Sequence, residues 1–206
     1  MSEQVYPVTT IDLIRHGEPE GGKKYRGKID DPLSELGWLQ MRTAVADHHH
    51  WDAIVSSSLR RCSEFANELG RRHDIAVSYE PRFMEIGFGE WEGRTAKELL
   101  AEDPQRLYQF WADPVKNTPP GAETLPEFEQ RVIAAWNDVL TQYLGKHILL
   151  VGHAGMMRMI IRHVLDMPLD RMFRLQVELA GITRIEIEGR GEESLPRLLF
   201  HGGSLL

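Results

Sequence analysis

The amino-acid sequence predicts an α/β fold, in which helices cover a sheet of buried strands. Short apolar runs alternate along the chain with longer segments of helical spacing, which is the pattern of an α/β sheet. One of these runs, KHILLVGH at residues 146–153, is almost continuously apolar, as a strand buried on both faces requires. Both observations favour a sheet with helices packed against it.

Three apolar runs are the candidate strands of this sheet. They are TTIDLI at residues 9–14, WDAIVSS at 51–57 and the run at 146–153. Polar residues of reactive type follow each of them. The tail, FRLQVELAGITRIEIEG and then PRLLFHG, alternates apolar and polar positions, which is typical of strands at a sheet edge.

Four segments have the apolar spacing of amphipathic helices. They span residues 36–49, 59–73, 125–145 and 155–167. The third predicted helix has an apolar face made of Phe128, Val132, Ala135, Trp136 and Val139.

The third helix also has clear end signals. Thr124 and Glu127 have the spacing of a capping box, and Pro126 falls in the first turn, where a missing N–H costs little. Gly145 is a residue type on which helices often end.

The segment 94–120 differs from the rest because it carries Tyr108, Phe110 and Trp111 and leaves through a Pro-Gly turn. We expect a helical insertion that forms a lid or a wall of a pocket.

Length, charge and cysteine content limit the classes of protein. The chain has 206 residues, of which 42% are hydrophobic, so we expect one domain over residues 1–206. Its net charge is -7, which disfavours binding to nucleic acid or an anionic membrane. With one cysteine, Cys62, and neither a leader nor a membrane-spanning run in the sequence, we expect a cytoplasmic protein without an internal disulfide.

The three candidate strands end in LIRHGE, SSSLRR and VGHAG. Ligands of open α/β sheets bind beyond the carboxyl ends of the strands, so we expect Arg15, His16, Arg60 and His153 to share one cleft. Arginine guanidinium groups match phosphate oxygens, and the cleft therefore favours a phosphoryl ligand. Arg61 competes with Arg60 for the same role.

Breaking a phosphate ester also requires a proton for the departing oxygen. Glu85 lies in the glycine-rich stretch MEIGFGEWEG and is the candidate general acid. Glu18, Glu90 and Glu92 are its rivals.

Four motifs follow one another along the chain: LIRHGE, SSSLRR, MEIGFGEWEG and LVGHAG. In this order they resemble the motifs of the histidine phosphatase superfamily, also called the phosphoglycerate mutase-like family, and the resemblance covers nearly the whole chain. The resemblance implies a three-layer αβα sandwich with a mostly parallel sheet.

It also implies a two-step reaction that needs no metal or cofactor. In that reaction His16 becomes a phosphohistidine, which water then hydrolyses. The phosphoryl oxygens would be held by Arg15, Arg60, His153 and Ala154. We expect Gly17 to leave room for the phosphate.

The short chain and the GEWEG stretch look like the phosphatase branch of this family and not like its mutases. Several segments, among them YRGKIDDPLSELGWLQ, are similar to α-ribazole phosphatases. The substrate would be a small phosphate ester such as α-ribazole 5′-phosphate, with Glu18, Tyr25 and Arg26 near its tail. A mutase-type phosphoryl transferase and a non-catalytic phospho-ligand-binding module stay as alternatives, and the protein would be a monomer or a homodimer.

The tract His48, His49 and His50 suggests a metal site at first sight. Adjacent residues on a helix point in different directions, so three in a row rarely converge on one ion. We therefore expect no metal site.

Overall fold

The structure is a computed structural model that describes residues 6–191, 194–203 and 205. Its centre is a six-stranded sheet. The strands are β1 (Val8–Arg15), β2 (Ala53–Ser56), β3 (Val77–Tyr79), β4 (His147–Gly152), β5 (Ile182–Glu188) and β6 (Leu195–Gly203). They lie in the order β3-β2-β4-β1-β5-β6.

The first four strands of that order run parallel to one another, and β5 and β6 are antiparallel to their neighbours. The sheet is therefore mostly parallel, as expected, with an antiparallel edge. The three apolar runs became β1, β2 and β4, and the alternating tail became β5 and β6. Strand β3 was not predicted, because three half-exposed residues carry too little apolar pattern.

Six α-helices accompany the sheet in the described part of the chain. They are α1 (Glu35–Val45), α2 (Arg60–His73), α3 (Ala96–Glu102), α4 (Pro104–Ala112), α5 (Leu125–Gln142) and α6 (Ala154–Val164). None of the helices in the described residues combines the length and the apolar character that are needed to cross a bilayer.

The helices cover both faces of the sheet, which confirms the three-layer αβα sandwich. Side chains along β1 alternate between the faces: Ile11 and Leu13 pack in one core with α5 and α6. Ile14 packs in the other core with α1 and α2. The single cysteine, Cys62, is buried in this second core.

The capping signals of α5 are confirmed. The Thr124 hydroxyl accepts a hydrogen bond from the Glu127 amide at 3.4 Å, and the Glu127 carboxylate accepts one from the Thr124 amide at 3.0 Å. All five residues of the predicted apolar face are buried. The helix ends at Gln142, slightly before Gly145, which adopts a left-handed conformation with φ of 74°.

The predicted insertion at 94–120 is helical, since it contains α3 and α4. Leu99, Leu107 and Phe110 of these helices pack with Trp91 in a small core of their own.

Candidate active site

The carboxyl ends of β1 and β4 bring two histidines together. These strands are neighbours, and Arg15 pairs with Gly152 at the end of the ladder. The His16 amide continues the ladder by donating to the Gly152 carbonyl at 2.9 Å. The rings of His16 and His153, each one residue past its strand, lie 5.2 Å apart between centroids and meet edge to face.

His16 is held as a neutral imidazole of defined tautomer. Its Nδ1–H donates to the Gly17 carbonyl oxygen at 2.7 Å, which leaves Nε2 without a proton. Burial lowers the pKa of His16 well below its usual value, and the charges of Arg61 and Arg15 lower it further. At neutral pH the Nε2 lone pair is therefore available to attack an electrophile.

Gly17 serves a different purpose from the one expected. A Cβ atom at Gly17 would lie 2.3 Å from the Gly37 carbonyl oxygen, and one at Gly37 would lie 2.0 Å from the Glu18 carbonyl oxygen. The two glycines let the start of α1 pack directly on the backbone after β1. Close packing of these two backbone segments, and not space for a phosphate, explains the glycine at position 17.

His153 lies behind His16 and is fully buried. Its Nε2 shares a hydrogen bond of 2.8 Å with the hydroxyl of Ser57, the residue that follows β2. Burial lowers the pKa of His153 well below its usual value, with Arg61 as the next cause, so this ring is neutral as well. Ser57 was not predicted as a site residue, although it stands in the SSSLRR motif.

The structure places Arg61, and not Arg60 as expected, beside the two histidines. The Arg60 side chain is 52% exposed and forms a surface ion pair with Glu64. Arg61 is fully buried, and its positive charge lowers the pKa of both His16 and His153. Its guanidinium donates to the carbonyls of Ile29 at 2.7 Å and Gly27 at 3.1 Å.

Helical periodicity could have identified Arg61. Four and eight residues after Arg61 stand Phe65 and Leu69, which are buried in the core. Four residues after Arg60 stands Glu64, on the polar face. A charged residue on the apolar face of a helix is the better candidate for a functional site, because burial of an unpaired charge is costly.

Arg61, which is buried, and Arg15, which is partly buried, retain unused donor capacity. Arg15 donates from Nη1 to the Val177 carbonyl at 2.7 Å. The Nε atoms of both Arg15 and Arg61 are buried and have no hydrogen-bond partner among the described residues. Buried donors are normally paired, so this pair of guanidinium groups fits an anion.

Two backbone amides fix the Glu85 carboxylate, which borders the same cavity as His16. Oε1 accepts from the Ile86 amide and Oε2 from the Gly155 amide, each at 3.0 Å. A Cβ atom at position 155 would lie 2.2 Å from Glu85 Oε1, so this contact requires glycine in the first turn of α6.

The rival glutamates differ in position. Glu92 accepts hydrogen bonds from the amides of Lys28, Ile29 and Phe88, which makes it a structural link between loops. Glu90 lines a separate small cavity. Glu18 borders the same cavity as His16 and Glu85.

Arg131 of α5 clamps the loop that carries Glu85. Its Nη1 donates to the carbonyls of Arg82 at 2.6 Å and Met84 at 2.8 Å, and its Nη2 donates to the Glu85 carbonyl at 3.0 Å. Nε and Nη2 also bind both oxygens of Glu123, at 2.6 and 2.8 Å. All five N–H groups of this guanidinium are used, so the loop is fixed relative to α5.

A cavity of about 670 Å³ opens above the site, and Arg15, His16 and Glu85 border it. Its size falls in the usual range for small-molecule sites. Aromatic rings contribute to its wall, namely those of Tyr25, Phe88 and Phe173.

Arg158 of α6, which was not predicted as a site residue, adds a further cation to this cavity. Its Nε donates to the Leu175 carbonyl at 2.8 Å, and its guanidinium lies 5.6 Å from the Phe173 ring centroid. Burial lowers the pKa of this guanidinium, which nevertheless stays charged at neutral pH.

The residues expected near the substrate tail, Glu18, Tyr25 and Arg26, all border the cavity. The donors of Arg26 are already engaged by Asp31 at 2.7 Å and by the carbonyls of Gly22 and Glu20. Arg26 therefore organises its own loop.

Ala154, expected to bind the phosphoryl oxygens, is the buried first residue of α6. Its amide is one of the terminal N–H groups that a helix leaves unpaired internally.

The insertion at 94–120 contributes no residue to the lining of this cavity. Its link to the cavity is Tyr25, which packs against the core of the insertion with its ring 5.4 Å from that of Trp91. The walls come instead from the segments after β1 and before β5.

Comparison with known proteins agrees with this geometry. The bifunctional protein Rv2228c of Mycobacterium tuberculosis is 31% identical over 202 residues, which cover 96% of this chain and 55% of that protein. The chain thus spans about half the length of this relative. The adenosylcobalamin/α-ribazole phosphatase of Salmonella typhimurium is 28% identical over 185 residues, which cover 85% of this chain and 89% of that enzyme.

Among solved structures, the mycobacterial glucosyl-3-phosphoglycerate phosphatase Rv2419c superposes with a TM-score of 0.84. It is 25% identical, and the match covers 95% of this chain and 99% of that one. The family model of the histidine phosphatase superfamily (branch 1) matches residues 11–196. The chain belongs to the histidine phosphatase superfamily.

Proposed function

We propose that this protein is a phosphatase that hydrolyses a small-molecule phosphate monoester through a phosphohistidine on His16. One observation carries the proposal: the neutral His16 ring, with Nδ1 bonded to the Gly17 carbonyl, borders a cavity beside Arg15 and Glu85. A nucleophile, a cation and a carboxyl group thus border the same cavity. Its relatives named as phosphatases support the same reaction class.

In the first step Nε2 of His16 attacks phosphorus, and the bond from phosphorus to the ester oxygen breaks. Glu85, in its acid form, gives its proton to that oxygen, so the alcohol leaves neutral. Arg15, Arg61 and His153 stabilise the negative charge on the equatorial phosphoryl oxygens.

In the second step a water molecule attacks the phosphohistidine. The Glu85 carboxylate takes a proton from this water, and the bond from phosphorus to Nε2 breaks. Inorganic phosphate leaves, and both His16 and Glu85 return to their starting states. No proton has to reach His16, which agrees with its lowered pKa.

The cavity restricts the substrate to a small molecule. Its volume of about 670 Å³ accommodates a phosphate ester of the size of a nucleotide or a sugar phosphate. The rings of Tyr25, Phe88 and Phe173 provide surface for a flat apolar group, which supports the hypothesis of α-ribazole 5′-phosphate. These rings, and not those of the insertion, would contact a base.

Turnover of p-nitrophenyl phosphate with EDTA present tests the reaction class. The unmodified protein should hydrolyse it, and His16→Ala should show no turnover above background. His163→Ala, which alters an exposed histidine of α6, is the matched control and should keep full activity. Equal activity of His16→Ala and unmodified protein would refute the nucleophile, whereas phosphate binding without turnover by the unmodified protein would favour a binding module.

A panel of monoesters tests the substrate class. We expect α-ribazole 5′-phosphate and other nucleoside-type esters to have a higher kcat/KM than 3-phosphoglycerate. The reverse ranking would overturn the subfamily assignment. We expect no conversion of 3- to 2-phosphoglycerate, and such conversion would favour the mutase alternative.

A further inference from the structure

A second group of ionisable side chains lies away from the candidate active site. It consists of Asp12 in β1, His147 at the start of β4 and His48 in the segment after α1. One potential ligand atom of each residue lies within 4.8 Å of the other two. Asp12 lies four residues before His16, which is about 13 Å along the direction of β1 at a rise of about 3.3 Å per residue.

The Asp12 side chain is a preorganised anion. It is fully buried, and its oxygens accept hydrogen bonds from Arg184 Nε at 2.7 Å, Arg184 Nη2 at 2.9 Å and Trp51 Nε1 at 2.8 Å. His147 Nε2 lies 2.8 Å from Oδ2 of the same carboxylate. Burial alone would raise the pKa of Asp12, but hydrogen bonds from His147, Arg184 and Trp51 outweigh it and lower the pKa to about 2.

His48 supplies a nitrogen that has no partner. Its Nε2 is buried and forms no hydrogen bond with any of the described residues, which is unusual for a buried ring nitrogen. The ring packs on Trp51 at 4.6 Å and lies 6.0 Å from the ring of His147, measured between centroids. Its position is therefore fixed beside the Asp12 carboxylate.

We propose that Asp12, His48 and His147 bind a Zn²⁺ ion. Two imidazole nitrogens and one carboxylate oxygen are a common zinc ligand set, with a water molecule completing the tetrahedron. Zn²⁺ takes the place of the hydrogen atom between His147 Nε2 and Asp12 Oδ2, and His147 binds the ion through Nε2 as the tautomer that carries its ring proton on Nδ1. Hydrogen bonds from Arg184 and Trp51 keep the carboxylate oriented, as outer partners of metal ligands do.

The histidine tract contributes one ligand to this site, not three. The neighbouring His49 bonds to the Asp47 carbonyl through Nδ1 at 2.7 Å, and His50 is exposed. The tract follows α1 and is not helical, and His48 alone of the three lies beside Asp12, so the proposed site departs from the expectation of no metal site. The other two ligands come from β1 and β4, which no spacing in the sequence connects with His48.

Zn²⁺ at this position would tie the segment after α1 to the middle of the sheet. An ion that binds only the folded chain raises the melting temperature, by roughly 5–10 °C for a chain of this size at about 100 times the Kd. The catalytic reaction does not involve this site, so its test is independent of the proposed phosphatase activity.

Calorimetric titration of the full chain, without a histidine tag and after treatment with EDTA, tests the site with ZnCl₂ as the only ligand. We expect one Zn²⁺ per chain and a tenfold or greater loss of affinity in both His48→Gln and His147→Gln. His50→Gln and His73→Gln change other histidines of the same surface and should bind as the unmodified protein does.

Absorption of bound Co²⁺ provides a second measurement. Intense visible bands of tetrahedral Co²⁺ should appear in the unmodified protein and disappear in His48→Gln, whose half-buried side chain can change without removing a core residue. Absence of stoichiometric Zn²⁺ binding, or binding that His48→Gln leaves intact, would overturn the proposal. Loss of binding in the His50→Gln control would overturn it as well.

Discussion

The imidazole rings of His16 and His153 lie 5.2 Å apart, at an angle of 63°, at the ends of two neighbouring parallel strands. Both rings are neutral because burial, together with the charge of Arg61, lowers the pKa of each. We expect the two neutral imidazoles, beside the guanidinium groups of Arg61 and Arg15, to provide a nucleophile and a hydrogen bond for an anion without excessive positive charge.

The first prediction concerns the protonation of His16. The neutral ring is the active form, and protonation at low pH removes the lone pair that attacks phosphorus. Because the pKa of His16 is lowered below 6.5, the ring should stay neutral as the pH falls from 8 to 6.5 and gain its proton only below that. Titration of the ring by NMR in phosphate-free buffer measures this directly, with His16→Ala to assign the signal. A midpoint at or above 6.5 would contradict the account.

The second prediction separates the two adjacent arginines. Arg61→Ala should lower kcat by about 10²- to 10³-fold, as the loss of one preorganised group that stabilises an oxyanion does. Arg60→Ala removes only an exposed ion pair with Glu64, so activity should stay within about twofold. Steady-state kinetics of both variants with one substrate gives the comparison. A large loss in Arg60→Ala with a small loss in Arg61→Ala would restore the original assignment.

Removal of Arg61 should also affect stability. The carbonyl groups of Ile29 and Gly27 would lose their partner, at a cost of about 1–3 kcal/mol for a buried group. Urea unfolding of Arg61→Ala and Arg60→Ala measures the difference.

The third prediction concerns Glu85 as proton donor. Glu85→Gln keeps the shape of the side chain but cannot donate a proton to the leaving oxygen. We expect kcat/KM, which reports the first step only, to fall about 10²- to 10⁴-fold with alkyl phosphates, whose leaving group needs the proton, and much less with p-nitrophenyl phosphate. The control Glu90→Gln should leave both rates unchanged, since Glu90 lines a separate cavity. Equal losses with the two substrates would show that Glu85 does not act as the acid.

The fourth prediction concerns the clamp formed by Arg131. Lysine cannot reproduce the planar fork that binds Glu123 and three carbonyls at once, so Arg131→Lys should let the Glu85 loop move. We expect the same dependence on leaving group as in Glu85→Gln, with a smaller loss. Arg42→Lys changes a similar two-bond pair with Glu68 outside the site and serves as the control. A loss independent of the leaving group would indicate general destabilisation instead.

Much of the fold could be predicted from the sequence, because β1, β4 and α5 carry strong local signals. The apolar run at 146–153 is buried on both sides, and the capping box of α5 forms as its spacing predicts. Strand β3 is short and half-exposed, so it depends on pairing with β2, which no local pattern reveals.

The candidate site was predictable where a motif follows a strand, as for His16 and His153. Arg61 was considered only as the rival of Arg60, because the motif places two arginines side by side and only the burial of one face of α2 distinguishes them. Arg131 and Arg158 lie on helices far along the chain from His16, and both bind backbone carbonyls, to which Arg131 adds the Glu123 carboxylate. Contacts of this kind depend on tertiary packing and leave no spacing in the sequence.

The central claim is that His16 carries the phosphoryl group during turnover. Rapid mixing of the protein with a phosphate monoester, followed by an alkaline quench and peptide mass spectrometry, tests it most directly. We predict a phosphoramidate on His16, attached at Nε2 by ³¹P NMR, which forms within one turnover and is absent in His16→Ala. Two results would contradict the account. One is turnover with the phosphoryl group attached to a residue other than His16. The other is turnover without any phosphorylated protein under conditions in which hydrolysis of the intermediate is slow.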